Sequence, residues 1–233
     1  MPLLREKVIV SVDDFGIRNV ADAILPLAQQ GKIDRVSVLI QYVTSQAQAD
    51  ALKATGVKID LHLELIDLIK SGATEEGSAL FRGLNFMVRY MFRMVNPSNV
   101  ERAWIDQIER FKEVFGQYPD GLNSHEHVHY FPQFFKVIMA LGDRYHIPFI
   151  RFSQKGILNY ETSMVGRILA FLWSKDVSYY QSHATLHETP DFFVSYDWIT
   201  YAEKFLRTLP KGKTEIAFHP ERKSEYEAIE KYF

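Results

Sequence analysis

The sequence predicts an α/β fold, a parallel sheet with helices packed outside it. Three observations predict it. Short apolar, β-branched runs recur along the 233 residues, amphipathic segments separate them, and the chain has no cysteine to staple a smaller scaffold. The runs are Lys7–Val12, Arg35–Ile40, Lys58–Leu63, Gly121–Ser124, Phe149–Phe152 and Glu215–Phe218. Between them Asn19–Gln30, Asn99–Phe115, Phe131–Tyr145, Thr162–Trp173 and Trp198–Leu209 carry apolar residues three and four apart, the spacing of one helix face. Strand and helix therefore alternate, which suits either a closed or distorted (β/α) barrel or an open doubly wound sheet. In each, functional side chains gather at the carboxyl ends of the strands.

Local signals punctuate this parse. Asn99 or Ser98 is placed to cap the helix after Pro97, and Gly116 ends that helix before Pro119. The Gly-, Ser- and Thr-containing segment Ser71–Gly77 reads as a flexible loop. With 47% hydrophobic residues and no internal repeat or low-complexity tract, residues 1–233 suit a single domain with a sizeable core. A formal net charge of -2, from 27 basic and 29 acidic side chains, argues against nucleic acid or an anionic membrane as partner. Arg89, Arg93 and Arg167 interrupt the greasiest stretches, so no stable membrane insertion is expected. The start of the sequence enters a strand-like run without the layout of a signal peptide, and a cytoplasmic location is expected.

The chemistry lies where apolar strands end in polar residues. Val8 to Val12 leads into Asp13-Asp14-Phe15-Gly16, two carboxylates whose side chains should face opposite ways if the strand continues, or a turn in which Asp14 caps the next helix. Ile59 to Leu65 alternates so that Asp60, His62 and Glu64 share one face. In Ser124-His125-Glu126-His127-Val128-His129, three histidines at period two project to one side if the chain stays extended. Three clustered imidazoles are costly to bury without partners, so a metal or acid–base role for at least one is expected. His219-Pro220 ends a further strand. Without thiolates, a metal here is held by carboxylate and imidazole.

The ordered set Val12-Asp13-Asp14-Phe15-Gly16, Leu61-His62-Leu63-Glu64-Leu65, Ser124-His125-Glu126-His127-Val128-His129 with Pro132, Ile147-Pro148-Phe149-Ile150-Arg151 and His219-Pro220 resembles the ChbG/HpnK (YdjC-like) carbohydrate deacetylases over nearly the whole chain. That resemblance implies a distorted (β/α) barrel of the glycoside hydrolase/deacetylase type, with parallel strands and outer helices. It also implies one divalent metal ion, zinc or magnesium, held by Asp14, His62 and His125. By the same resemblance Asp13 is the general base and His219 the general acid, and Arg151, His127 and His129 line the substrate pocket or stand behind it. The reaction implied is removal of an N-acetyl group from an acetylated amino sugar, a chitooligosaccharide or a glycolipid-like molecule, with release of acetate. Two residues depart from the family pattern: Glu221 follows His219-Pro220 where a Gly is usual, and Asp60 stands where Gly is frequent.

Rival readings are another metal-dependent amidohydrolase or phosphoesterase, which needs further ligands, and a noncatalytic sugar-binding homologue, against which the intact Asp13 and metal triad argue. The apolar, Arg-bearing stretch Leu80–Val95 reads as a core helix with snorkelling arginines, and otherwise as a lid, a homodimer surface or a patch for a lipid-linked substrate.

Overall fold

The computed structural model describes residues 2–17, 20–43, 45–65, 96–183 and 187–233; the segments Ser71–Gly77 and Leu80–Val95 lie outside them. Its strands are β1 (Val8–Phe15), β2 (Arg35–Val38), β3 (Lys58–Leu63), β4 (Gly121–Ser124), β5 (Phe149–Ile150), β6 (Gly156–Ile157), β7 (Phe192–Ser195) and β8 (Thr214–Phe218). All pair in parallel, in the order β5-β4-β3-β2-β1-β8-β7-β6. The sheet is curled. Its two edge strands are the ends of one stretch, 149–157, which bonds to β4 through Leu122 O at its start and to the segment before β7 through Glu188, Pro190 and Asp191 carbonyls. The expected distorted barrel is thus present as a curled parallel sheet whose two edges are linked along this stretch rather than by a regular strand.

The helices are α1 (Pro2–Arg5), α2 (Val20–Gln29), α3 (Gln46–Ala54), α4 (Pro97–Phe115), α5 (Pro132–Tyr145), α6 (Met164–His183), α7 (Ala202–Arg207) and α8 (Lys223–Tyr232). In α4, Val100, Trp104, Ile108, Phe111 and Phe115 recur at helical spacing and are buried. The cap differs from expectation: Asn96 accepts from Ser98 N at 2.9 Å, because Pro97 takes the first helical position, where its missing N–H costs nothing. Gly116 ends the helix in the left-handed conformation at φ 72°. The segment Trp198–Leu209 yields only the short α7, since Tyr196–Trp198 form a 3₁₀ turn that buries Trp198 against Phe193. Conversely α6 runs a further ten residues past the expected end at Trp173, to His183.

Strand alternation divides the sheet into two faces. Val10, Val12, Val36, Val38, Ile59, Leu61, Leu122 and Ile216 belong to the apolar core shared with the helices. The alternate residues, Ser11, Asp13, Ser37, Asp60, His62, Asn123 and Glu215, are polar, buried and joined to one another across the barrel. There Arg35 holds Asp60 through two bonds of 2.7 and 2.6 Å, and Arg151 bridges Asp13 and Glu215. A barrel filled by ion pairs gains little net stability from them, but each charge has a fixed partner and position.

Candidate metal centre and reaction site

Between Val12 and Phe15 the β1–β2 register shifts, and Asp14 takes a positive φ of 68°. This irregularity ends strict alternation at the two aspartates. Asp13 stays in the barrel, 1% exposed, while Asp14 turns toward the mouth. The residues after β4 are also not extended. Glu126 and His127 adopt φ of 52° and 55° within a 3₁₀ turn, so the three histidines do not share a side as the period-two reading required. His125 reaches Asp14. His127 lies among Phe193, Trp198 and Tyr130, with ring centroids 5.3, 6.0 and 6.4 Å away. His129 folds back to Ser124 Oγ at 2.6 Å and the Arg151 carbonyl at 2.8 Å.

Asp14 Oδ1 lies 3.1 Å from His125 Nδ1 and 3.4 Å from His62 Nε2. Among the described residues, Asp14, His62 and His125 are the one group whose ligand atoms, all within 4.8 Å of one another, could hold a metal ion. The donor set fits a divalent cation: one carboxylate oxygen and two imidazole nitrogens converge, and fewer than four protein ligands leave positions open. His62 adds a specific sign. Its Nδ1 is paired with the Asn123 side-chain oxygen, an acceptor, so Nδ1 keeps its proton and Nε2, which faces Asp14, is the nitrogen that would give up its own proton to an ion. Asn123 is itself held, donating from Nδ2 to Ser37 Oγ at 2.9 Å.

Electrostatics divide the two aspartates. Burial works to raise Asp13, but Arg151, with His62 and His219 near, holds it well below the usual carboxylate range. Arg151 grips both Asp13 oxygens at 2.7 and 2.9 Å and reaches Glu215 at 2.7 Å. Burial likewise opposes ionisation of Asp14, yet hydrogen bonds from His125 and His62 keep it low. His125 is raised despite burial because Asp14 bonds to it. A bound cation would replace that proton. Burial and the Arg151 charge push His127 down and take His129 to about 3, so both are neutral.

His219, 18% exposed at its side chain, lies within electrostatic reach of both aspartates. Burial alone would lower it, but Glu225, Asp13 and Asp14 raise it to about 9. A cavity of about 890 Å³ opens beside Asp14, walled by Ile17, Val20, Asp22, Pro220, Glu221 and Tyr226. Sequence reasoning thus named Asp13, Asp14, His62, His125 and His219, which meet here. It set Arg151, His127 and His129 either in the pocket or behind it; Arg151 and His129 are 0% exposed, and His127 packs among Phe193, Trp198 and Tyr130. It missed Asn123, Glu215 and Glu225. The signal available was a polar residue at an inward strand position, as with Asn123 between the apolar Leu122 and the β4 end.

The YdjC-like protein family model matches residues 7–231. The chain is 30% identical over 161 residues to a carbohydrate deacetylase of Danio rerio, covering 65% of this chain and 51% of that protein. It is 23% identical over 158 residues to a chitooligosaccharide deacetylase of Escherichia fergusonii, covering 65% and 61%. The chain spans about half the length of the first of these curated relatives. The crystal structure of a protein described as a cellobiose-phosphate cleavage protein, from Enterococcus faecalis, shares the fold with a TM-score of 0.60 at 21% identity, over 91% of this chain and 80% of that one. With the family model covering the barrel from β1 to α8, the chain belongs to the YdjC-like family.

Proposed function

We propose that the chain is a metal-dependent hydrolase that removes the N-acetyl group from an acetylated amino sugar, releasing acetate and a free amine. The observation that carries this reading is the convergence of Asp14, His62 and His125, with Asp13 and His219 close enough to feel each other's charge, in a family whose relatives are named for carbohydrate and chitooligosaccharide deacetylation.

Asp14, His62 and His125 would hold one divalent ion. Such an ion supplies a Lewis acid that acidifies water beside it and polarises an acetamide carbonyl. Asp13, kept ionised by Arg151, accepts the proton of the attacking water. Its basicity is low, so it suits a water already acidified. Collapse then has to expel an amine, a poor leaving group until protonated. His219, whose protonated form the neighbouring carboxylates favour, supplies a proton to the nitrogen as the C–N bond breaks. The Asp13 and Arg151 pair is buried away from solvent, and the open cavity beside Asp14 gives the sugar its approach. An ion-bridged phosphoesterase would need further donors, and among the described residues the metal-competent group stops at three.

The test is acetate release from N-acetylated chitooligosaccharides and N-acetylglucosaminyl lipids. Asp13→Asn should keep the metal and lose about 10²–10⁴-fold in turnover. If it loses the metal instead, the roles of Asp13 and Asp14 are reversed.

A further inference from the structure

The sequence after His219 departs from the family pattern, and the short helix that follows turns back onto the site. Glu225, on the first turn of α8, is 2% exposed. Its Oε2 accepts from the His219 backbone N–H at 2.7 Å and lies 3.8 Å from His219 Nδ1. Its other oxygen accepts from Arg222 Nη1 at 2.9 Å, and Arg222 is in turn 3.6 Å from Asp197. The carboxylate is therefore fixed at both ends. His219 Nδ1 is buried with no hydrogen-bond partner, although the side chain as a whole keeps contact with solvent. With Nδ1 enclosed, Nε2 is the ring nitrogen left for a substrate.

We infer that Glu225 is the positioning residue of His219: it binds the backbone and faces Nδ1, so that Nε2 is the nitrogen presented to the leaving amine. This inference rests on the deacetylase reading. In the step concerned, the C–N electron pair goes to nitrogen, the Nε2 proton follows it, and His219 is left as neutral imidazole with its Nδ1 proton directed at Glu225. A carboxylate behind an imidazole both fixes the ring and favours its cationic form. The other charged groups facing His219 are Asp13 and Asp14 from β1, with Glu221 and Arg222 from the turn before α8; Asp13 and Asp14 add to the same effect. Arg222 also touches the His219 backbone, its main-chain N–H donating to the His219 carbonyl at 2.9 Å, but of these groups Glu225 is the one whose charged side chain bonds to that backbone, so it sets direction as well as charge.

Two measurements on the metal-loaded protein test this, using Glu225→Gln and, should that variant fold poorly, the charge-conserving Glu225→Asp. The first is a nuclear magnetic resonance titration of the His219 ring, which does not depend on turnover. Glu225→Gln should titrate at least about one unit below wild type, with Glu225→Asp between them. The second compares acetate release from N-acetylated chitobiose with cleavage of p-nitrophenyl acetate, whose leaving group needs no proton. Glu225→Gln should lose about ten-fold or more on the amide and stay within about two-fold on the ester. An unmoved titration, or equal losses on both substrates, overturns the inference. A wild-type protein that shows the titration but releases no acetate from any N-acetylated sugar overturns the deacetylase reading instead, and leaves the Glu225–His219 pairing established.

Discussion

His62 shows how much one hydrogen bond decides. An imidazole offers either nitrogen to a cation, and the Asn123 oxygen at Nδ1 settles which. Asn123→Ala removes that acceptor and lets the ring choose the other tautomer, so affinity for a divalent ion should fall about 10–100-fold in a chelator competition, with the fold retained. Arg151 is the second such residue. It is fully buried and neutralises Asp13 and Glu215 at once, so Arg151→Met strands two carboxylates in the barrel. Urea unfolding should show a loss of about 3–5 kcal/mol, the range for a broken buried pair. His62 sits at an inward position of β3, and Arg151 directly follows β5. Arg151 was legible through the family resemblance, but its grip on Asp13 was not, because that contact joins residues 138 positions apart.

Among the elements, β1 and the turn after β4 place the site by departing from regularity. Alternation along β1 predicted two aspartates with different surroundings, which is what their partners show: Arg151 for Asp13, two imidazoles for Asp14. The register shift that turns Asp14 outward has no sequence signature beyond the Gly that follows at residue 16. The histidine run was read as extended, and its left-handed Glu126 and His127 were invisible because neither is a Gly. Missing β6, β7 and α3 has a simpler cause. The strands are two and four residues long, and α3 buries only Ala49 and Leu52, so neither leaves a strong periodic pattern. On β4, Gly121 is the element's tightest point. A Cβ there would meet Asp60 Oδ1 at 2.6 Å and Arg35 Nη2 at 2.7 Å. Gly121→Ala should therefore cost about 1–3 kcal/mol in urea unfolding by prising the Arg35–Asp60 pair apart.

For the molecule as a whole, the inverted distribution of polarity matters most: helices cover an apolar outer face, and the barrel interior is an ion-paired network beneath the proposed reaction site. Alternation of strand and helix made the parallel sheet legible, and the family resemblance pointed to a distorted barrel over an open sheet. The filling was not, because a buried Asp60 or Glu215 reads from sequence as a solvated charge. Stability should carry one further titration, at Asp176 on α6, which is 3% exposed with Oδ2 unpartnered among the described residues. Burial pushes its carboxyl up to about 7, against the pull of Lys136. The folded state thus holds this proton more tightly than the unfolded chain. The contribution is most favourable below about pH 4, declines as pH rises through 7, and stays low above it. Asp176→Asn should raise Tm above pH 7 by at least ~2–4 °C, the equivalent of about 1 kcal/mol, with the gain shrinking toward pH 4. Among the described residues no helix is long and apolar enough to cross a membrane. The central claim is a deacetylase whose ion sits on Asp14, His62 and His125. Its most direct measurement is acetate release from an N-acetylated chitooligosaccharide by chelator-stripped protein as zinc or magnesium is titrated back. The account predicts no release without the ion, full recovery near one equivalent, and no recovery in His125→Ala; full activity in stripped protein, or in that variant, would contradict it.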